Sequence, residues 1–180
     1  MLYQNGKILV RLIEEKDIPI MTKWLSDPKV LKYYEGRDNP FNCEKVRVKF
    51  LNEQKGINRC IIEYMKQEIG YIQFYELNEK SKEDFGYPIT ERIYGTDQFI
   101  GEVEYWNKGI GGLIVQSMTR YVTTILKADR VVMDPQCWNK RAITCYEKCN
   151  FKKVKLLPSN EYHEGEYRDC WLMEYNKSRT

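Results

Sequence analysis

Three stretches of this chain carry residue types whose spacing could do chemistry. The first, Tyr105-Trp-Asn-Lys-Gly-Ile-Gly-Gly112, is rich in glycine and lies between an expected strand and an expected helix. Successive backbone N–H groups in such a turn, with a helix N-terminus behind them, can approach a diphosphate, and Lys108 adds a positive charge. The turn is not a dinucleotide fingerprint, because Ile114 stands where a third glycine would be, and it is not a Walker A loop, because no Gly-Lys-Ser/Thr follows. Taken alone it reads equally well as a helix start with no ligand.

The second stretch, Asn139 to Phe151, puts Asn139, Ala142, Tyr146 and Cys149 on one helical face, with Tyr146 about 10 Å along the axis from Asn139. A capping asparagine, a small residue and a phenol in that order could line a groove for a long thin ligand and end at a group able to give up a proton. The same spacing also suits a tyrosine packed between helix and sheet. The third feature is Asp97, an acid inside a strand-like run, where acids are disfavoured. Alternation sets it on the face of Ile93 and Phe99, where a carboxylate can bind an ammonium group and take its proton, directly or through water. A structural acid at a strand bulge is the alternative. Asp134 ends another short strand, before Pro135; strand C-terminal ends in α/β sheets face the ligand crevice, although Asp-Pro also starts simple turns.

Counting excludes other chemistries. His163 is the only histidine, which removes multi-histidine metal sites and leaves any nucleophile-histidine pair dependent on one residue in a Glu-rich turn, where a solvated loop histidine is the plainer reading. The six cysteines contain no C-x-x-C pair, and the opening Met1-Leu-Tyr-Gln-Asn-Gly-Lys7 lacks the apolar core of a signal peptide. The expectation is a cytoplasmic protein with reduced thiols. No apolar run approaches the roughly 20 residues of a membrane span.

The elements that must position these groups follow from periodicity. Lys7 to Ile13 reads as a strand and Asp17 to Leu25 as an amphipathic helix, broken by Ser26-Asp27-Pro28. Short helices are expected over Lys29 to Tyr34 and Glu44 to Asn52. Arg59 to Tyr64 and Ile69 to Glu76 read as a hairpin joined by the four polar residues Met65 to Glu68. A long acidic loop precedes the strand Arg92 to Ile100. The helix Gly112 to Lys127 carries an apolar stripe of Ile114, Met118, Tyr121, Val122 and Ile125, expected to be core. Arg130 to Asp134 is a short buried strand, Asn139 to Cys149 a helix, and Phe151 to Leu157 and Asp169 to Tyr175 are closing strands. Hairpins followed by β-α-β-α-β imply a mixed sheet with helices on its faces.

The net charge of +3 is weak evidence for a nucleic-acid partner, and it hides a split. Glu83 to Glu104 holds six acids and one base, and Asn160 to Asp169 four acids and one base, so the remainder is strongly basic. A chain so divided can hold a cation in one place and an anion in another.

At the glycine turn and the Asn139 helix the sequence resembles the GCN5-related N-acetyltransferases (GNAT). That family's acetyl-CoA loop has the form Q/R-x-x-G-x-G/A; Gly109 and Gly111 match the glycines, and Trp106 replaces the first residue. Its second pattern, N-x-x-A-x-x-x-Y-x-x-x-G-F, is met by Asn139, Ala142, Tyr146 and Phe151, with Asn150 in place of glycine. Asparagine is the substitution best able to keep a left-handed backbone. Lys23-Trp-Leu-Ser-Asp-Pro-Lys-Val-Leu31, Tyr34-Glu-Gly-Arg-Asp38, Tyr94-Gly-Thr-Asp-Gln-Phe-Ile-Gly101, Asp134-Pro135, His163-Glu-Gly165 and Asp169-Cys-Trp-Leu-Met-Glu-Tyr175 extend the resemblance over nearly the whole chain. They are similar to the aminoglycoside 6′-N-acetyltransferases, among them the acetyltransferase half of the bifunctional aminoglycoside-modifying enzyme.

The resemblance implies one GNAT domain over residues 1–180, of α/β (α+β) class, with a central mixed, mostly antiparallel sheet flanked by helices. It implies transfer of the acetyl group of acetyl-CoA to the 6′-amine of an aminoglycoside antibiotic by direct attack, conferring resistance and needing no metal. Coenzyme contacts would come from Phe99, Ile100, Trp106, Lys108, Gly109, Ile110, Gly111, Gly112, Asn139, Ala142 and Tyr146. Backbone N–H groups at Phe99 or Ile100 would polarise the thioester carbonyl, and Tyr146 would protonate the departing thiolate. Asp97 would be the base and, with Asp134 and Glu35, would bind the polycation; Asp84, Glu102 and Glu104 are further acidic candidates. Lys140, Arg141 and Lys148 would face coenzyme phosphates. The competing enzyme reading is acetyl transfer to another amine, a polyamine or a protein N-terminus. A silent coenzyme-binding or nucleic-acid-binding module is the remaining class, but no RNA motif supports the latter. The expected partners are therefore small molecules, with no nucleic acid or membrane, on a monomer or homodimer.

Overall fold

The computed structural model describes residues 1–52 and 55–176. Its eight strands are β1 (Tyr3–Asn5), β2 (Ile8–Leu12), β3 (Ile57–Tyr64), β4 (Gln67–Glu76), β5 (Ile93–Ile100), β6 (Arg130–Met133), β7 (Lys152–His163) and β8 (Glu166–Asn176). They form one sheet in the order β1-β2-β3-β4-β5-β6-β8-β7. The pair β5/β6 is parallel, while β1/β2, β2/β3, β6/β8 and β7/β8 are antiparallel, which gives the mixed, mostly antiparallel sheet that the resemblance implied. The helices are α1 (Ile18–Trp24), α2 (Pro28–Leu31), α3 (Cys43–Val46), α4 (Glu79–Phe85), α5 (Ile110–Thr124) and α6 (Lys140–Lys148).

The chain divides into two compact units, residues 1–73 with 98–110, and residues 74–97 with 111–180. In the first, α1 turns Ile18, Met21 and Trp24 inward at helical spacing, and they pack with Leu25, Val30, Phe41, Phe50, Tyr71 and Phe99. Trp24, fully buried, lies flat against Gly101, where a β-carbon would come within 2.2 Å of the indole. Burying each large apolar side chain of this kind contributes about 1.5–3 kcal/mol. In the second, Ile114, Val115, Met118 and Val122 of α5 are buried, as are Ile143 of α6 and Val131, Val132 and Met133 of β6.

Several expectations are corrected. The β3/β4 hairpin turns on two residues instead of four, because Met65 and Lys66 both take positive φ (52° and 70°), the backbone of the tight turns that match strand twist. The acidic loop before β5 contains α4, capped by Asn78, whose side chain accepts from the Ser81 N–H, and stopped by Gly86 at φ 81°. Ile125 lies past the last residue of α5 and is 64% exposed, outside the core stripe. The acidic Asn160–Asp169 segment belongs to a long β7/β8 hairpin instead of a turn between short strands. His163 is 3% exposed at the end of β7, its ring 6.0 Å from that of Trp138, so it is a buried histidine and not a solvated one. No helix among the described residues is long and apolar enough to cross a membrane.

Candidate active site

Strands β5 and β6 deliver the two acids. Their parallel register runs Ile93↔Arg130, Tyr94↔Val131 and Gly95↔Val132. Continued past the point where pairing stops, it brings Asp97 level with Asp134 and on the same face, since residues aligned in a parallel pair share a side. Tyr75 of β4 lies across Gly95, where a β-carbon would come within 2.7 Å of its ring. Burial first, then the charges of Asp97 and Asp134, push the Tyr75 phenol up. The Asp134 carboxyl is itself pushed up to about 7, mainly by burial and then by the charge of Asp97, while a hydrogen bond from Asn160 Nδ2 (3.1 Å) holds it down. Two carboxylates set side by side, one holding its proton more tightly because of the other's charge, are a candidate receptor for an amine. Neither Tyr75 nor Asn160 is legible from the sequence: one needs Gly95 opposite it, the other the long β7/β8 hairpin.

The segment after Asp134 is held by β8. Trp171 N–H donates to the Pro135 carbonyl (2.9 Å) and Cys137 N–H to that of Asp169 (2.8 Å), which fixes the direction in which α6 sets out. Asn139 caps α6 by accepting from the Ala142 N–H at 3.2 Å. Tyr146 is half-buried, its ring 6.3 Å from that of Phe151, and Asn150 takes φ 67°, the left-handed backbone its place in the pattern demands. The opening of α5 packs on this helix: a β-carbon on Gly111 would sit 3.5 Å from Cys145 Sγ, and one on Gly112 3.9 Å from Cys149 Sγ.

In the first unit, Gly109 has φ 76° with open space around its α-carbon, and Lys108 is exposed. No acid occupies the first turn of α5, so the helix brings no negative charge of its own against its N-terminal dipole. A positive-φ glycine, an exposed lysine and an acid-free helix start fit a phosphate-bearing ligand. Trp106 serves this turn by bonding: its indole N–H donates to the Ile100 carbonyl at 2.8 Å. The Phe99 side chain packs against Trp24, Tyr34 and Tyr71, so only its backbone remains available to a ligand.

Two other acidic candidates, Glu35 and Glu102, are engaged elsewhere. Glu35, at φ 70°, is ion-paired with Lys49 and accepts from Asn39 Nδ2 at 3.5 Å. Glu102 is 9% exposed and takes Lys23 Nζ (2.6 and 2.9 Å) and Trp24 Nε1 (2.9 Å) on its carboxylate. It is a structural acid. Glu104 is exposed. Among the described residues no cluster of three or more His, Cys, Asp or Glu is arranged to hold a metal ion.

Comparison with known proteins places this geometry. Residues 14–158 match the family described as the acetyltransferase (GNAT) domain. The aminoglycoside N(6′)-acetyltransferase type 1 of Klebsiella pneumoniae is 23% identical over 152 residues, covering 83% of this chain and 76% of its own. An N-alpha-acetyltransferase of Saccharolobus solfataricus is 36% identical, over 39% of this chain and 40% of its own. Among solved structures, aminoglycoside acetyltransferase AAC(6′)-Ib in complex with coenzyme A superimposes with a TM-score of 0.75 at 19% identity, covering 95% of each chain. The spermidine N-acetyltransferase of Vibrio cholerae in complex with coenzyme A and spermine gives 0.75 at 20% identity, covering 97% of this chain and 98% of that one. At those identities the structural likeness establishes the fold.

Proposed function

Since the chain belongs to the GNAT acetyltransferase family, we propose that it moves the acetyl group of acetyl-CoA to the 6′-amine of aminoglycoside antibiotics and so confers resistance to them. The observation that carries the choice of substrate is the acid pair Asp97/Asp134: the register of β5 and β6 sets the two side by side, and Asp134, pushed up to about 7 by burial and then by the charge of Asp97, gains from a cation placed beside them. The 23% identical relative named for that reaction supports the same reading.

In this mechanism Asp97 and Asp134 hold the ammonium forms of the antibiotic, and Asp97 takes a proton from the 6′-ammonium, directly or through water, so that a neutral amine attacks. Backbone N–H groups at Phe99 and Ile100 stabilise the oxygen of the tetrahedral intermediate. As the carbon–sulfur bond breaks, Tyr146 gives its phenolic proton to the departing thiolate. The glycine turn with Lys108, and Asn139 and Ala142 at the start of α6, hold the coenzyme's diphosphate and pantetheine arm.

Another polyamine is the second reading, favoured by the same acid pair and by the spermidine acetyltransferase among the structural neighbours. Thiol release from acetyl-CoA with kanamycin or tobramycin, measured beside spermidine and peptides, separates the two. The proposal expects aminoglycosides to be turned over with the highest kcat/KM; no turnover on any aminoglycoside bearing a 6′-amine would refute it.

A further inference from the structure

The end of β5 is fixed by hydrogen bonds at the place where acetyl transfer needs a donor. The Gly101 and Glu102 N–H groups both donate to the Ile69 carbonyl of β4, at 2.8 and 3.1 Å, and a β-carbon on Gly70 would collide with the Phe99 carbonyl oxygen. Phe99 and Gly101 therefore turn these polar groups toward β4. Backbone groups alternate sides along a strand, so the N–H and C=O of Ile100, between them, both face away from β4. The β5/β6 ladder ends earlier, at Gly95↔Val132. One polar group of Ile100 on that side is taken: the Trp106 indole N–H donates to the carbonyl at 2.8 Å. The single turn Val103–Tyr105 reverses the chain so that Trp106, six residues on, reaches back over Ile100. Tyr33 packs edge-on against the indole, the ring centres 5.8 Å apart.

We propose that Trp106 is a positioning residue for acetyl transfer: by occupying the Ile100 carbonyl, its indole holds the Ile100 N–H ready for the acyl oxygen of bound acetyl-CoA. This rests on the acetyl-transfer reading above, in which that N–H stabilises the tetrahedral oxygen, but not on which amine is the acceptor. A developing oxyanion needs a donor and is repelled by an acceptor. Without the indole, the Ile100 carbonyl would present its negative end on the same side as that N–H, and a water bonded to it would compete for the acyl oxygen's place. The indole also fixes the Ile100–Gly101 peptide, whose C=O is then held by Trp106 and whose N–H is held by Ile69, so that it cannot rotate without breaking two hydrogen bonds. A donor held in advance acts where charge develops, more in the transition state than in the ground state, so its effect falls on kcat and not on coenzyme binding. In this role Trp106 acts through Ile100 instead of touching the coenzyme.

The test separates the indole's N–H from its ring. Trp106→Phe keeps a ring and loses the donor; Trp106→Gln keeps a donor and loses the ring. Each is compared with the parent for kcat, using whichever of kanamycin, tobramycin, spermidine and an N-terminal peptide the parent acetylates fastest, and for coenzyme A affinity by calorimetry. Trp106→Phe should lower kcat about tenfold, a part of the roughly hundredfold that removing an oxyanion donor outright costs. Its coenzyme A affinity should stay within a factor of about two of the parent's. Trp106→Gln should recover most of the lost kcat. A kcat within about twofold of the parent in Trp106→Phe, a Trp106→Gln slower than Trp106→Phe, or coenzyme A affinity falling in step with kcat would overturn the proposal. The expected ratios on spermidine, with no turnover of either antibiotic, would refute the choice of antibiotic and uphold the role of Trp106.

Discussion

Two acids, one in each compact unit, met opposite fates. Glu102 ends β5's run into the glycine turn with its carboxylate saturated by Lys23 and the Trp24 indole; burial opposes its charge, but those two donors win and hold it below the usual carboxylate range. Asp134 has Asn160 for a donor and Asp97 for a neighbour, and burial wins. Both look alike in sequence, an acid at the end of a strand. The difference is whether a cation of the same chain has been supplied. Where one has, the acid fastens structure; Asp134 carries the cost of burial instead, which is the ground for proposing that it binds a cation from outside.

Their pH dependences should run in opposite directions. The folded protein holds a proton on Asp134 that the unfolded chain, with an ordinary value of about 3.9, gives up. Between pH 4 and 7 stability therefore falls as pH rises, and the cost is fully in place above 7. Glu102 contributes stability that is present above the ordinary carboxylate range and is lost as pH falls through its lowered value.

The contrast can be broken or sharpened by substitution. The largest effect is expected at Asp97: Asp97→Asn should reduce turnover about 100-fold with coenzyme A affinity unchanged by calorimetry, and unchanged turnover would remove it as the base. Tyr146→Phe should slow the chemical step about tenfold or more in single-turnover measurements; a rate within a factor of about two of the parent would mean that solvent protonates the thiolate. Asp134→Asn should raise KM for a polycationic amine about tenfold while making the protein more stable at pH 8, read as a higher melting temperature. Glu102→Gln should do the reverse, leaving KM alone and costing about 1 kcal/mol, a modest figure because Lys23 remains in water. Equal effects of these two substitutions on KM would erase the distinction between them.

Local rules made much of this legible. The left-handed Asn150, the Asn139 cap and the order of strands after residue 92 all follow from patterns within a dozen residues. What escaped depends on partners distant in sequence. Helix α4 is too charged to show an apolar stripe, although Asn78 and Gly86 were its start and stop signals. The burial of His163 depends on Trp138, and the place of Tyr75 on Gly95, neither within reach of a periodicity argument. Glu102 is a further substrate acid by sequence, and only Lys23 and Trp24, 79 and 78 positions away, make it a structural one.

The central claim is that the acid pair receives the 6′-ammonium end of an aminoglycoside. The most direct measurement is to incubate the protein with acetyl-CoA and kanamycin and locate the acetyl group on the product by NMR, beside an analogue with a hydroxyl in place of the 6′-amine. The account predicts a single acetamide at the 6′ position and no amide product from the analogue. Acetylation at another amine, or equal amide formation on the analogue, would contradict it.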